Sequence, residues 1–286
     1  MNGGLVRLRE VLDQLNPSER KVADYILVYP ERMIQLSGAQ LAEECSSSQA
    51  AIVRLCKSMG VKGFQDLKLR VAGDVQEQRK DKVSSGYQEI RPHDSIGTII
   101  EHVSNNNIQS IRDTVKILDP DAVVRAVDAI YGAKRIFFYG LGASNLIAQD
   151  AQQKFLRINK PSFTFADPHV QLTSAVTLTP DDLAIGISYS GETRQVIASL
   201  KAAKENGAVT MSITKYGASK LAQYSDIPLA ISSTENEIRS GAMSSRITQL
   251  NVIDILYLAV ASRNYESSVQ YLDKSRQAIH QLETNM

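Results

Sequence analysis

The chain has 286 residues, 43% of them hydrophobic and 22% charged, and its 32 lysines and arginines against 31 aspartates and glutamates give a formal net charge of +1. That length has room for two cores, and that balance excludes a protein drawn to nucleic acid or an acidic membrane by overall charge. No apolar run approaches the roughly 20 residues of a membrane helix, and "MNGGLVRLREVLDQL" lacks the apolar core and cleavage site of a secretory signal, so no membrane partner is expected and the expected location is the cytoplasm.

The first third reads as helices. In "NPSER", Asn16 is a candidate N-cap, Pro17 suits the first helical position, and Glu19 stands three residues after the cap. Val22, Ile26 and Tyr29 share a helical face until Pro30. "SGAQLAEEC" and "SSQAAIVRLCKSMG" follow as two short helical patterns separated by a turn of serines. In the second, Ile52, Val53, Cys56 and Met59 recur at helical spacing and are expected inside, with Gln49, Arg54 and Lys57 opposite. The pattern is helix, tight turn, helix. Between Cys45 and Ala72, Arg54, Lys57, Lys62, Lys68 and Arg70 face one acid, Asp66, which describes a nucleic-acid surface and an ordinary solvated face equally well. Cys45 and Cys56 lack the spacing of a zinc site and read as small buried hydrophobes, so no metal is expected.

From Gly73 to about Ser95 the text is polar, as in a linker or exposed helix end. A helical run from Ile96 to Leu118 stops at Pro120, and "DAVVRAVDAI" adds another amphipathic stretch. Beyond Ala133, the short apolar runs "RIFFYG", "PSFTFAD", "DLAIGISYS", "AVTMSIT" and "DIPLAI" alternate with helical patterns. Buried parallel strands with crossover helices give that alternation, so the expected architecture is an α/β three-layer sandwich with its ligand site outside the carboxyl ends of the strands. A long helix, Met243 to Ala261, and a terminal one from Glu266 close the chain.

Two strand ends carry special loops. "FFYGLGASN" leads to Gly140, Gly142 and Ser144, and "IGISYSGET" leads to Ser188, Ser190, Gly191 and Thr193. Both precede helices, so both present free backbone N–H groups and a positive dipole end, to which the hydroxyls add rotatable donors. A phosphate monoester suits that arrangement. The bland alternative makes Ser144 and Ser190 plain helix caps. A dinucleotide site is the weaker competitor: "GLGASN" has Asn145 where the third glycine belongs, and Asp167 would be the ribose carboxylate. Glu192 would repel phosphate if it pointed inward, so it is expected to turn outward or to meet another group of the ligand.

Residues 133 to about 262 resemble a sugar isomerase (SIS) domain, a phosphosugar-binding fold, through "GLGAS" and "ISYSGET". Residues 1 to about 72, with "ERKVADYIL", "QLAEE" and "VRLCKSMGVKGFQDLKLRV", resemble the helix-turn-helix module of RpiR-type bacterial regulators. The resemblance implies an all-α helix-turn-helix domain over 1–76, a linker over 77–95 and a flavodoxin-like SIS domain with flanking helices over 96–286. It puts phosphosugar contacts on Ser144, Ser188, Ser190 and Thr193; Asn145 and Gly191 lie in the same loops, and Glu237 and Arg239 are candidate ligand-sensing contacts from "ENEIRSGAMSSR". One departure stands out, since Ser46 and Ser47 occupy the turn where that family usually carries glycine and an apolar residue.

An enzyme on this fold would need a base at the bound sugar. Glu237, His169 and Asp167 are the candidates, but their spacing defines neither triad nor metal site, so no catalytic residue and no cofactor are expected. The expected function is transcriptional regulation, with double-stranded operator DNA as one partner and a phosphosugar as the other. Ser48, Gln49 and Ala50 open the second helix and would reach base edges, Arg54 and Lys57 bases or phosphates, and Lys62 and Lys68 phosphates. A small helix-turn-helix grips few base pairs, so a homodimer or tetramer is expected. The resemblance is greatest to regulators of N-acetylmuramic acid 6-phosphate use, whose lactyl carboxylate Arg239 or Arg246 could meet, while N-acetylglucosamine 6-phosphate, glucosamine 6-phosphate or a ketose phosphate would suit the hydroxyls equally well; induction by loss of repression is the expected response, with activation as the alternative. The alternative is a phosphosugar isomerase or etherase with an accessory helical domain. Asp254, in "LNVIDILYLAV", is expected to be a hydrogen-bonded interface or core carboxylate.

Overall fold

The computed structural model describes residues 3–80, 93–233 and 242–284. By contact the chain divides into two compact units: Met1–Ile117 with Lys215–Ala218 and Ala230–Thr234, and Leu118–Thr214 with Ser219–Leu229 and Glu235–Met286.

Helices make up the body of the first unit: α1 (Gly4–Val11), α2 (Pro17–Val28), α3 (Pro30–Gln35), α4 (Gly38–Glu44), α5 (Gln49–Ser58), α6 (Phe64–Lys80) and α7 (Ile96–Ile117). The start of α2 is fixed as its residues dictate: Asn16 accepts a hydrogen bond from the Glu19 amide at 3.2 Å and Pro17 takes the first helical position. Ser37 and Gln40 close a full capping box on α4. Leu8, Val22, Ile26, Leu41, Leu55 and Met59 are fully enclosed where α2 meets α5 and where α1 and α3 meet α6. Burying each such side chain contributes about 1.5–3 kcal/mol.

The amides of Gly3 and Leu5 donate to the buried carboxylate of Asp74 at 2.6 and 2.8 Å, which ties the beginning of α1 to α6. The helix α7, expected to belong with the C-terminal domain, groups with the first unit instead. It packs on α1, where Arg9 reaches Asp113 at 3.5 Å, a long-range pairing that hydropathy does not encode. Within the expected linker over 77–95, residues 77–80 belong to α6, and 81–92 lie outside the described residues.

The second unit is built on α8 (Pro120–Gly132), β1 (Arg135–Tyr139), α9 (Ala143–Leu156), β2 (Ser162–Thr164), α10 (Pro168–Ala175), β3 (Asp182–Ile187), α11 (Arg194–Glu205), β4 (Val209–Lys215), α12 (Lys220–Gln223), β5 (Ile227–Ile231), α13 (Ser244–Arg263) and α14 (Tyr265–Thr284), the last residue of β4 and the end of β5 from Ala230 being grouped with the first. The five strands form one sheet in the order β2-β1-β3-β4-β5, with β1 parallel to β2 and β3, and β3 parallel to β4. This is the flavodoxin-like order, in which the order of strand addition reverses between β1 and β3. All five strands fall on the apolar runs of the sequence. Every residue of β3 is buried, as a strand covered on both faces requires.

Alternation along β1 feeds both layers. Phe137 and Tyr139 join Val196, Leu200 and Leu221 in one core, while Phe138 stacks on Phe155 of α9, which meets Tyr257 of α13 edge-on. The sheet therefore lies between α9 with α13 and α10 with α11.

Candidate functional site

The two signature loops leave the carboxyl ends of β1 and β3, neighbouring strands paired from Arg135↔Asp182 to Tyr139↔Gly186. That junction is where the strand order reverses, the position at which open α/β sheets bind ligands. Gly140 is required there, because a Cβ on it would lie 2.7 Å from the Ser144 carbonyl oxygen.

Side-chain hydrogen bonds build the second loop from within. Ser188 is buried, its hydroxyl lies 2.9 Å from that of Thr193, and it accepts from the Gly191 amide at 3.2 Å. Ser190 accepts from the Glu192 amide at 3.2 Å. Gly191 has φ 68°, and a Cβ there would stand 2.3 Å from the Cβ of Ser219. Both the left-handed backbone and the close approach demand glycine. The Glu192 carboxylate accepts from the Lys220 amide at 3.1 Å and pairs with the Lys220 ammonium at 2.8 Å, which balances its charge beside the loop.

Neither serine is the plain helix cap that the bland reading made it. The N-cap residues of α9 and α11 are Gly142 and Thr193, and neither gives its helix a side-chain cap. By contrast Asp119, Asp167 and Ser219 cap α8, α10 and α12 in the ordinary way. At α11 the first-turn amides carry no side-chain cap where the hydroxyls of Ser188, Ser190 and Thr193 gather, a setting with donors and dipole for a tetrahedral oxyanion, whereas at α9 the amides of Ser144 and Asn145 already donate to the carbonyls of Leu141 and Gly142 at 3.1 and 3.0 Å.

Asn145 is held differently from the expectation of a ligand contact. It is buried; its Nδ2 donates to the carbonyls of Gly140 and Phe165 at 3.2 and 3.0 Å, and its Oδ1 accepts from Gln149 at 2.7 Å. Gln171, which the sequence did not single out, donates to the same two carbonyls at 2.8 and 2.7 Å. These amides anchor the loop from behind. Glu237 and Arg239 lie outside the described residues, and Arg246 sits half-buried in the first turn of α13.

Asp167 is committed to capping α10 through the amides of His169 and Val170, which leaves the dinucleotide reading without its ribose carboxylate, and His169 is exposed. Asp254 is half exposed and pairs with Lys154 at 2.5 Å, so of the two expected places, interface or core, the core one is ruled out. Among the described residues no cluster of metal-ligating side chains occurs and no helix is long and apolar enough to cross a membrane.

In the first unit α4, a turn and α5 form the helix-turn-helix. Ser46 takes φ 47° in that turn, the left-handed position that glycine fills more easily. Ser48 caps α5 by accepting from the Ala51 amide at 3.2 Å, so Gln49 and Ala50 open the helix, both exposed. Arg54 and Lys57 are exposed one and two turns further on. The side chain of Arg54 is oriented by Glu19 at 3.2 Å and by the Ser18 hydroxyl at 3.1 Å.

Three expectations change in this unit. Val53 is 56% exposed, while Ala51, Ile52, Leu55 and Cys56 form the buried face. Lys68 is partly buried, donates to the Leu36 carbonyl at 2.8 Å and lies over the Phe64 ring, so it serves packing. Cys45 is only partly buried, whereas Cys56 is buried and its thiol is pushed up to about 11 by desolvation. Lys62 stays exposed, its backbone amide bound to Asp66 at 3.0 Å.

A helix-turn-helix unit together with a flavodoxin-like sandwich whose switch point gathers glycines and hydroxyls defines a two-domain regulator. Family models agree: the helix-turn-helix domain of the rpiR family matches residues 2–78 and the SIS domain matches residues 129–259. The chain is 42% identical over 281 residues to the uncharacterized HTH-type transcriptional regulator YbbH of Bacillus subtilis, covering 98% of each. It is 36% identical over 267 residues to the HTH-type transcriptional regulator HexR of Pseudomonas aeruginosa, covering 92% of this chain and 90% of that one. Among solved structures, the Vibrio vulnificus NanR protein complexed with ManNAc-6P is similar at a TM-score of 0.62 and 26% identity, over 98% of both chains. The chain belongs to the RpiR family of helix-turn-helix transcriptional regulators with a SIS domain.

Proposed function

We propose that the protein is a transcriptional repressor whose affinity for operator DNA falls when a phosphosugar binds its SIS domain. The observation that carries the effector half is the uncapped helix end at Thr193, set among hydroxyls at the β1/β3 reversal. The phosphate would accept from the amides that begin α11 and from the hydroxyls of Ser144, Ser188, Ser190 and Thr193. Gly191 lets the backbone close around it, while Asn145 and Gln171 hold the first loop in place. On the DNA side, Ser48, Gln49 and Ala50 open the reading helix, and Arg54, Lys57 and Lys62 supply charge.

The NanR complex with ManNAc-6P supports a hexosamine-type phosphate as effector class. Within that class we propose N-acetylmuramic acid 6-phosphate, with Arg246, and Arg239 from beyond the described residues, as partners for its lactyl carboxylate. The regulator works as a homodimer or tetramer in the cytoplasm, where its two heads reach half-sites about 34 Å apart. Two things support a regulator without turnover: relatives are named as transcriptional regulators, and Asp167, one of the three candidate bases, caps α10.

Fluorescence anisotropy on DNA from the protein's own upstream region, titrated with a panel of sugar phosphates, tests the reading. One phosphosugar is expected to release the complex at micromolar levels; a coupling of about 1–3 kcal/mol would change operator affinity about 5- to 150-fold. DNA binding that no sugar phosphate shifts would end the effector proposal. Consumption of a phosphosugar by purified protein would replace the regulator with an isomerase or etherase.

A further inference from the structure

The exposed face of α5 carries an apolar side chain amid polar ones. Val53 is 56% exposed in the middle of the helix, one turn after the exposed Ala50 and one turn before the exposed Lys57. Single exposed apolar residues are common on proteins, so exposure alone says nothing. The neighbours make this one informative. Gln49 precedes it by four residues, Arg54 follows it directly with its guanidinium oriented by Glu19, and the other side of the helix is sealed in the core by Ile52, Leu55 and Cys56. A β-branched residue also has lower helix propensity than alanine, so the helix itself gains nothing from valine here.

We propose that Val53, together with Ala50, forms an apolar strip that reads the C5-methyl group of thymine in the operator's major groove. The inference rests on α5 being the helix that enters that groove. Thymine is the base that offers an apolar group there, and aliphatic side chains recognise it by excluding water. Cations at Arg54 and Lys57 flank the strip and match the charge of the DNA on either side. Val53 is thereby a specificity residue, distinct from the polar contacts at Gln49.

The test uses the full-length protein, its operator, and a set of operators in which each thymine in turn is replaced by deoxyuridine, which removes one methyl group and nothing else. Wild type is expected to lose affinity about three- to tenfold at one or two thymines per half-site, the scale of one buried methyl contact. Val53→Ala should lose a similar factor on unmodified DNA and show no further loss at the sensitive thymine. Because that change raises helix propensity at an exposed position, thermal stability should not fall, and a loss of binding then reports the contact. Losses from Val53→Ala and from deoxyuridine that multiply at every position would overturn the proposal, as would a wild type indifferent to every methyl. A wild type that binds no operator at all would overturn the DNA-binding reading together with it, an outcome told apart from the others before any variant is made.

Discussion

Nε of Arg54 lies 3.2 Å from Oε1 of Glu19, a carboxylate that is only 6% exposed although it faces the reading helix. Glu19 also accepts from Nδ2 of Asn16 at 2.5 Å and from the Ser58 hydroxyl at 3.3 Å. One side chain thus joins the cap of α2 to the middle and end of α5.

Glu19→Ala is therefore expected to act twice. Leaving three donors around an empty position should cost about 1–3 kcal/mol in chemical denaturation. Freeing the guanidinium should weaken operator binding as well, by less than Arg54→Ala does. Operator affinity unchanged in a folded Glu19→Ala protein would show that Arg54 needs no orientation.

Replacing Gly191 by alanine puts a Cβ 2.3 Å from that of Ser219 on a backbone with φ 68°. The loop must move, at a cost of about 1–3 kcal/mol. The expected result is a protein that still binds operator and gains no thermal stability from any sugar phosphate. A normal ligand-induced rise in Tm would show that the cradle does not depend on this approach.

Ser46→Gly should do the opposite to stability. The left-handed turn at φ 47° strains a serine and not a glycine, so the variant is expected to gain up to about 1 kcal/mol, offset in part by the freer unfolded chain. Equilibrium urea unfolding measures it, and a clear loss would mean that the Ser46 side chain contributes something the strain does not outweigh.

Asp182, buried at the start of β3, is held below the usual carboxylate range chiefly by its hydrogen bond with Arg135 at 2.8 Å, assisted by the amide and hydroxyl of Thr179 at 2.9 Å each. A carboxyl with a depressed folded-state pKa stabilises the fold fully above its unfolded value of about 3.9 and loses that contribution as pH falls through the folded value. Asp182→Asn should be less stable than wild type by about 1–3 kcal/mol at pH 7, and the gap should close below about pH 4. A gap that stays constant down to pH 3 would contradict this.

Much of the architecture was legible because its signals are local. Asn16, Pro17 and Glu19 announce α2, and each apolar run after Ala133 became a strand, since a buried strand needs only a few consecutive apolar residues. Both loops of the cradle were visible as glycine and hydroxyl residues at strand ends. What stayed hidden depends on angles and distant partners. Adjacent residues on a helix point about 100° apart, so the run Ile52, Val53 could not say which one faces outward. The engagement of Lys68 with Leu36, of Asn145 with Phe165 and of Arg9 with Asp113 joins residues 20 to 104 positions apart. Gln171 gave no signal, because a glutamine inside a short helix carries no mark of the carbonyls it will meet.

The uncapped end of α11 makes the solvent itself an experimental variable. Inorganic phosphate and sulfate carry the same tetrahedral oxygens as a sugar phosphate, and under the proposed function they would compete for the amides there that no side chain covers. Operator affinities compared between phosphate buffer and a buffer of bulky organic ions would then belong to two different occupancy states. The protein's resting condition is defined only once the anions around it have been specified.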